Sequence, residues 1–276
     1  FLEKCIDRPR HIEIQILADR HGNVVHLFER DCSIQRRHQK LIEIAPSPQI
    51  NDEQRQWLGQ TAVRAARAVN YENAGTVEFL LDRDGQFYFM EMNTRLQVEH
   101  TISETITGID IVREQIRIAD GLALRYRQED IQRRGYAMEL RINAEDPKNN
   151  FLPSFGRITR YFAPGGPGVR TDAAIYSGYP IPPDYDSMCA KITVWALDWE
   201  DLLNRASRAL QDTGVYGVKT TIPYYMEILK VADFRSGSFD TGFVEDHPEL
   251  TEYKTSRPTR ELTAAITAAL SAHLGL

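Results

Sequence analysis

The sequence has few cysteines, no long apolar run and no strong excess of either charge. Its three cysteines, Cys5, Cys32 and Cys189, are widely spaced and form no zinc-type pair. They predict reduced thiols in a cytoplasmic protein rather than a disulfide framework. No segment approaches the roughly 20 uncharged apolar residues of a membrane span, and the first residues do not resemble a signal peptide. We therefore expect no membrane association.

Charge and apolar content exclude two further classes. The chain carries 33 Lys and Arg residues against 39 Asp and Glu residues, a net charge of −6. This balance disfavours a generally basic nucleic-acid binder. Hydrophobic residues make up 42% of the sequence, too many for a wholly disordered chain. The length of 276 residues allows one large or two modest domains.

Local periodicity predicts alternating strands and helices. Apolar and polar residues alternate in the strand segments, and Asn51 with Gln54 resembles a capping box before a helix. We expect a loop or short turn over 101–108. The predicted strands cover 11–16, 24–28, 41–44, 76–81, 87–92, 138–143, 188–194 and 215–219, and the predicted helices cover 57–69, 110–119, 202–210, 223–231 and 261–274.

The texture of the chain changes near residue 134. Beyond it, Gly- and Pro-rich stretches at 164–168 and 179–183 separate the strands. We predict one domain over 1–134, a second over 135–246, and a polar tail with an amphipathic helix over 247–276.

Two acidic residues face each other in a predicted hairpin. Asp84-Gly85 predicts a two-residue type I′ turn. The register set by that turn places Glu78 opposite Glu91, on the same face as Asn93. Like charges directly opposite each other are destabilising, and a divalent cation such as Mg²⁺ would remove the repulsion. A solvated acidic sheet face is the alternative.

The residues after Asn93 repeat with period two. Arg95, Gln97 and Glu99 alternate with apolar residues, which predicts that they line one extended edge. A guanidinium offers a planar fork that matches a carboxylate-like anion, and the Glu99 carboxylate beside it could accept a proton. This pattern predicts a small-oxyanion site, with a polar surface strand as the alternative.

At these residues the sequence resembles a known family. Residues 91–100, Glu-Met-Asn-Thr-Arg-Leu-Gln-Val-Glu-His, closely resemble the signature of biotin carboxylases in the ATP-grasp superfamily. The resemblance covers roughly 1–245 and includes 9–13, 29–40, 141–146 and 185–188. It implies an α+β fold: an ATP-grasp C-terminal lobe, with an antiparallel sheet and helices, followed by the biotin carboxylase C-terminal α+β domain.

The resemblance also implies a reaction. Mg-ATP, or its Mn²⁺ counterpart, would phosphorylate bicarbonate to carboxyphosphate, and the carboxyl group would pass to N1′ of biotin on a separate protein or domain. The matching positions are Glu78, Glu91 and Asn93 for the metal, Gln97, Val98 and Asp186 for the substrates, Arg95, Glu99 and Arg141 for catalysis, and Glu3, Lys4, Ile6, His11, Gln35, His38 and Lys40 for ATP.

The roles follow the family pattern residue by residue. Arg95, Gln97 and the Val98 N–H would hold bicarbonate, and Glu99 would be its general base. Arg141 would stabilise the biotin enolate.

Some of these positions have structural alternatives. His11 could cap a strand, 35–40 could be a solvated basic loop or a weak nucleic-acid patch, and Asp186, near the family's biotin pocket, could be a turn residue.

The resemblance leaves parts of the system outside this chain. The family's N-terminal domain, its glycine-rich lid and the Ala-Met-Lys-Met mark of a biotin carrier have no counterpart here. We therefore expect the C-terminal part of a homodimeric enzyme, folded but inactive alone, that works with a biotin carboxyl carrier protein and a carboxyltransferase. The alternatives are another ATP-grasp ligase of the carbamoyl-phosphate synthetase type and a non-catalytic interaction fragment.

Overall fold

This computed structural model describes residues 2–253 and 259–274. The predicted tail begins at residue 247, and its residues 254–258 and 275–276 lie outside the described residues. The strands are β1 Arg10–Ala18, β2 Val24–Arg36, β3 Gln39–Ala45, β4 Asn73–Leu81, β5 Phe87–Asn93, β6 Tyr136–Asn143, β7 Glu145–Asp146, β8 Leu152–Pro153, β9 Gly156–Arg157, β10 Arg160–Phe162, β11 Val169–Ala173, β12 Pro180–Ile181, β13 Met188–Ala196 and β14 Gly214–Tyr216. The α-helices are α1 Asp52–Ala68, α2 His100–Thr107, α3 Ile111–Ala119, α4 Trp199–Asp212, α5 Ile222–Ile228, α6 Ala232–Arg235, α7 Phe243–Asp246 and α8 Thr259–Leu274.

One antiparallel sheet of eight strands organises the molecule, in the order β11-β13-β6-β3-β2-β1-β4-β5. The sheet crosses residue 134, because β3 pairs with β6. The mixture of helices with an antiparallel sheet confirms the expected α+β class, whereas the division into domains stays a prediction. No helix in the described ranges is long and apolar enough to cross a membrane.

Strand β1 is buried on both of its faces. Its isoleucines pack against α1, where Leu58, Ala62 and Ala66 recur at helical spacing. The capping box of Asn51 and Gln54 that starts α1 is confirmed. The polar side chains on the other face of β1 are buried as well. The alternation therefore separates an apolar face from a buried charged face.

The hairpin between β4 and β5 departs from the predicted turn. Asp82 N–H donates to the Gln86 carbonyl oxygen at 3.0 Å, so the loop has three residues and not two. Gly85 takes the left-handed conformation, with φ of 80°, that such loops require. One extra residue in β5 shifts the register next to Glu78, which still faces Glu91. The predicted pairing is confirmed and the predicted turn is wrong.

Segment 101–107 is helical where a loop or short turn was predicted over 101–108. Helix α2 covers His100–Thr107 and ends at Gly108, whose φ is 72°. Its residues are mostly β-branched and have low helix propensity. Ile102 and Ile106, four residues apart, are nevertheless buried in one apolar cluster with Ala45 of β3. Tertiary packing therefore overrides the local preference.

Candidate active site

A cleft of about 1210 Å³ opens on the charged face of the sheet. Most of the predicted site residues line it: Ile6, His11, Gln35, His38, Lys40, Glu78, Glu91, Asn93, Arg95, Gln97, Val98, Glu99, Arg141 and Asp186. Glu3 and Lys4 are not among the lining residues, and Lys4 Nζ instead donates to the hydroxyl of Tyr88 at 2.8 Å. Residues that are distant in sequence thus meet in one cleft.

The sheet register builds the floor of the cleft. Arg30 on β2 pairs with Glu13 on β1, Glu13 pairs with Glu78 on β4, and Glu78 pairs with Glu91 on β5. Paired residues of an antiparallel sheet project from the same face. The four side chains therefore form one row across four adjacent strands, which we call the charged row.

Cations neutralise the inner part of the charged row. Glu13 accepts hydrogen bonds from Arg30 Nε at 2.5 Å and from Lys40 Nζ at 2.6 Å. Burial alone would raise the pKa of Glu13, but the charges of Arg30 and Lys40 outweigh it and lower that pKa. The sequence alone indicated no role for Glu13 or Arg30, although both lie within the segments that resemble the family.

The outer part of the charged row holds the predicted metal ligands. Asn93 Nδ2 donates to Glu78 Oε1 at 3.0 Å and to Glu91 Oε1 at 2.8 Å, so one amide joins both carboxylates. Glu78 is buried, whereas Glu91 is exposed. Two carboxylates are hard ligands that suit Mg²⁺ or Mn²⁺, and rotation of the Asn93 amide by about 180° would turn its oxygen towards them as a third. The residues present therefore fit the expected cation.

Glu78 is held in its ionised form. Burial favours the neutral acid, but hydrogen bonds from His11 and Gln97 and the charge of Lys40 lower the pKa of Glu78 to about 2. His11 Nε2 lies 2.6 Å from Glu78 Oε2, and Gln35 Nε2 donates to His11 Nδ1 at 2.7 Å. Because Nδ1 accepts, Nε2 carries the proton that His11 donates to Glu78.

Glu99 lies between two cations. Its Oε1 is 2.5 Å from Lys40 Nζ, and its Oε2 accepts from Arg141 Nη2 at 3.0 Å. Arg141 Nε also donates to Glu43 Oε1 at 2.5 Å. We expected Arg95 beside Glu99 from the sequence, but Arg95 is exposed and donates to a backbone carbonyl next to it.

The expected extended edge from Glu91 to Glu99 is wrong. Strand β5 ends at Asn93, and the chain then turns before α2 begins. Gln97 and Glu99 still reach the cleft because this turn folds back over the sheet: Arg30 Nη2 donates to Gln97 Oε1 at 2.9 Å. The period-two spacing identified residues of the cleft through the wrong local structure.

Two family models match the chain in sequence. The ATP binding domain of the carbamoyl-phosphate synthase L chain matches residues 1–127, and the biotin carboxylase C-terminal domain matches residues 139–246. The chain belongs to the biotin carboxylase family. The expected ATP-grasp biotin carboxylase fold is thereby confirmed.

Individual biotin carboxylase relatives are similar over nearly the whole chain. The chain is 53% identical over 275 residues to the 2-oxoglutarate carboxylase small subunit of Hydrogenobacter thermophilus, covering 100% of this chain and 58% of the relative. It is 55% identical over 246 residues to biotin carboxylase of Nostoc sp., covering 89% of this chain and 55% of the relative. The chain thus spans less than two thirds of the length of these relatives.

A solved structure has the same fold. The biotin carboxylase domain dimer of the Hydrogenobacter thermophilus 2-oxoglutarate carboxylase, in complex with MgADP, ADP and bicarbonate, superimposes with a TM-score of 0.90 at 55% identity. The match covers 92% of this chain and 56% of that one.

Proposed function

We propose that this chain contributes the metal, bicarbonate and biotin-facing parts of a biotin carboxylase. The whole enzyme would use ATP and bicarbonate to carboxylate biotin on a carrier protein through carboxyphosphate. One observation carries this proposal: a buried carboxylate, Glu99, is fixed between Lys40 and Arg141, and Lys40 also contacts the charged row, whose outer carboxylates suit Mg²⁺. The MgADP and bicarbonate named for the Hydrogenobacter structure match that chemistry.

Two groups of residues would act in the first step, the phosphorylation of bicarbonate. Glu78, Glu91 and Asn93 would hold Mg²⁺ or Mn²⁺, which supplies charge neutralisation at the phosphates. Gln97, the Val98 N–H and Arg95 would orient bicarbonate, and Glu99 would take its proton. The bicarbonate oxygen then attacks the terminal phosphorus of ATP, ADP leaves, and carboxyphosphate forms.

The second step moves the carboxyl group. N1′ of biotin transfers its proton to a phosphate oxygen of carboxyphosphate, and the guanidinium of Arg141 stabilises the resulting enolate. The nitrogen then bonds to the carboxyl carbon of carboxyphosphate as phosphate leaves. Asp186, which lies in the cleft in the segment before β13, would contact the biotin side. The residues that would contact the nucleotide are Ile6, His11, Gln35, His38 and Lys40 in the cleft, together with Glu3 and Lys4.

The two alternatives from the sequence are less well supported. A carbamoyl-phosphate synthetase would explain the match over 1–127 but not the biotin carboxylase C-terminal match over 139–246. A non-catalytic fragment would not need Glu78 held ionised opposite a second carboxylate, Glu91.

We also propose the partners and the setting. The names of two relatives, the small subunit of 2-oxoglutarate carboxylase and the biotin carboxylase subunit of pyruvate carboxylase, describe parts of larger carboxylases. We therefore propose that the whole enzyme is a homodimer that works with a separate biotin carboxyl carrier protein and a carboxyltransferase. We also propose a cytoplasmic location.

The test uses a hybrid subunit, in which this chain replaces the matching segment of the Hydrogenobacter relative. We expect bicarbonate-dependent ADP release that free biotin or the carrier protein increases, and carboxybiotin as a product. The chain alone should release no ADP until the remaining segment is added. A hybrid subunit that binds ATP and folds but shows no bicarbonate dependence would contradict the proposal.

A further inference from the structure

Two side chains that have no role in the proposed mechanism donate hydrogen bonds to the backbone on either side of Val98. Lys191 Nζ on β13 donates to the Val98 carbonyl oxygen. His100 Nδ1, at the start of α2, donates to the Gln97 carbonyl oxygen at 2.8 Å. The Gln97 carbonyl shares a rigid peptide plane with the Val98 N–H, and the Val98 carbonyl shares one with the Glu99 N–H. The two contacts therefore fix both peptide planes that flank Val98.

Lys191 is held in place by further buried groups. Its Nζ lies 3.5 Å from Glu139 Oε2, which also accepts a hydrogen bond from Thr101 Oγ1. Thr101 Oγ1 is in turn 2.9 Å from Thr193 Oγ1. Burial raises the pKa of Glu139, and the charge of Lys191 opposes that rise. A lysine is rarely buried unless it is paired. Lys191 is buried and also donates a hydrogen bond to the Val98 carbonyl oxygen.

His100 fixes the peptide plane that precedes Val98. Its Nδ1 must carry a proton, because a carbonyl oxygen can only accept. Burial and the nearby charge of Lys191 lower the pKa of His100, while Glu104, whose Oε2 lies 4.0 Å from Nε2, opposes them together with the Gln97 carbonyl. Arg170, which pairs with Glu104 at 2.6 Å, also favours the neutral ring. The neutral ring with a proton on Nδ1 keeps the hydrogen bond to the Gln97 carbonyl oxygen.

We propose that Lys191 and His100 are positioning residues for the bicarbonate step, fixing the peptide planes around Val98 so that its N–H and the Glu99 carboxylate meet the same anion. The inference rests on the proposed function, which assigns bicarbonate to Val98. Fixed donors stabilise an anion without reorganising during the reaction, and a misplacement of about 1 Å can cost roughly 100-fold in rate.

Steady-state kinetics of the hybrid subunit test this inference. Lys191→Met and His100→Phe each remove one contact, and both should raise the KM of bicarbonate roughly 10- to 100-fold with the KM of ATP unchanged. His100→Asn keeps an N–H donor near the Nδ1 position and should restore most of the loss. Lys230→Met, which removes an exposed lysine, is the matched control. Equal rises in both KM values, or an unchanged KM of bicarbonate, would overturn the inference.

A second readout does not depend on turnover. In the 276-residue chain, the ¹³C resonance of the Val98 carbonyl reports directly on the hydrogen bond from Lys191. It should move in Lys191→Met and stay in place in Lys230→Met. An unmoved resonance would contradict the hydrogen bond from Lys191 to Val98 and overturn the inference. A hybrid subunit without bicarbonate-dependent turnover would instead contradict the proposed function. A moved resonance would then still support the hydrogen bond.

Discussion

Lys40 Nζ and Glu99 Oε1 lie 2.5 Å apart at the centre of the cleft. The same ammonium contacts Glu13 at 2.6 Å. Burial lowers the pKa of Lys40, but the charges of the surrounding carboxylates outweigh it, and that pKa rises well above its ordinary range. Lys40 therefore stays protonated at neutral pH. In the proposed mechanism the proton acceptor of this pair is therefore the carboxylate of Glu99.

The first prediction concerns this base. Glu99→Gln keeps the shape of the side chain but removes the proton acceptor, so kcat of bicarbonate-dependent ADP release in the hybrid subunit should fall by roughly 10²–10⁴-fold. Glu245→Gln, an exposed carboxylate at the rim of the same cleft, is the control and should retain full activity. Near-normal turnover of Glu99→Gln would exclude the role.

The second prediction concerns the metal. Glu91 is exposed, so Glu91→Gln should fold normally, but the loss of one charged ligand should raise the Mg²⁺ concentration for half-maximal ADP release by roughly 10-fold or more. The measurement is a Mg²⁺ titration at fixed ATP. Glu129→Gln, which removes an exposed carboxylate elsewhere, should leave the titration unchanged. The same curve for both variants would contradict the assignment.

The pairing of Glu78 with Glu91 could be predicted from the sequence. The hairpin and its register followed from strand alternation and an Asp-Gly turn. The loop is one residue longer than predicted, and the extra residue in β5 compensates for it. Neither feature has a local signal, because loop length and bulges depend on how the strands twist against their neighbours. The correct pair was therefore predicted through two errors that cancel.

The buried charges were harder to foresee. Glu13 and Arg30 stand in alternating strands, where a polar residue normally indicates a solvated face. Their partners are 15 or more positions away in sequence, so only the folded sheet shows that the charged row is covered and neutralised. The contact of Arg141 with Glu43, 98 positions away, is of the same kind. Motif resemblance identified Arg141 but not its partner.

The third prediction separates the two arginines of the cleft. Arg141 contacts Glu99 and the buried Glu43, whereas Arg95 is exposed and lines the cleft. In the hybrid subunit, Arg141→Ala should retain a larger fraction of bicarbonate-dependent ADP release than of biotin carboxylation. Arg95→Ala should lower both. Both rates are measured on the same preparation, and an equal loss of the two activities in Arg141→Ala would remove the separation of roles.

Loss of Arg141 should also affect stability. Glu43 is fully buried, and burial raises its pKa. Arg141→Ala removes the hydrogen bonds to the buried carboxyl groups of Glu43 and Glu99, and a buried acceptor left without its donor typically costs about 1–3 kcal/mol. Thermal unfolding of each variant therefore accompanies the kinetics, and activities are compared only below the lower melting temperature.

The last prediction concerns acid stability. His26 is 7% exposed, and its ring packs so closely on α1 that a Cβ added at Gly59 would lie 2.4 Å from Nε2. Burial lowers the pKa of His26 from 6.5 to about 4. The folded chain therefore binds this proton less well than the unfolded chain, and stability is lost as the pH falls from 6.5 towards 4.

Between pH 7 and pH 5 the loss from His26 should be about 2 kcal/mol. His26→Gln cannot take up the proton and should remove this slope, although it should be less stable at pH 7. Glu78 contributes only below pH 4.5, because its pKa is about 2, and the contributions of the buried Glu43 and Glu139, whose pKa values are raised, are common to wild type and His26→Gln and cancel in their comparison. The measurement is denaturant unfolding of the chain at several pH values, with the exposed His21→Gln as control. If wild type and His26→Gln lose stability equally between pH 7 and pH 5, the slope belongs to other groups, and the buried ring of His26 is not what makes the fold sensitive to acid.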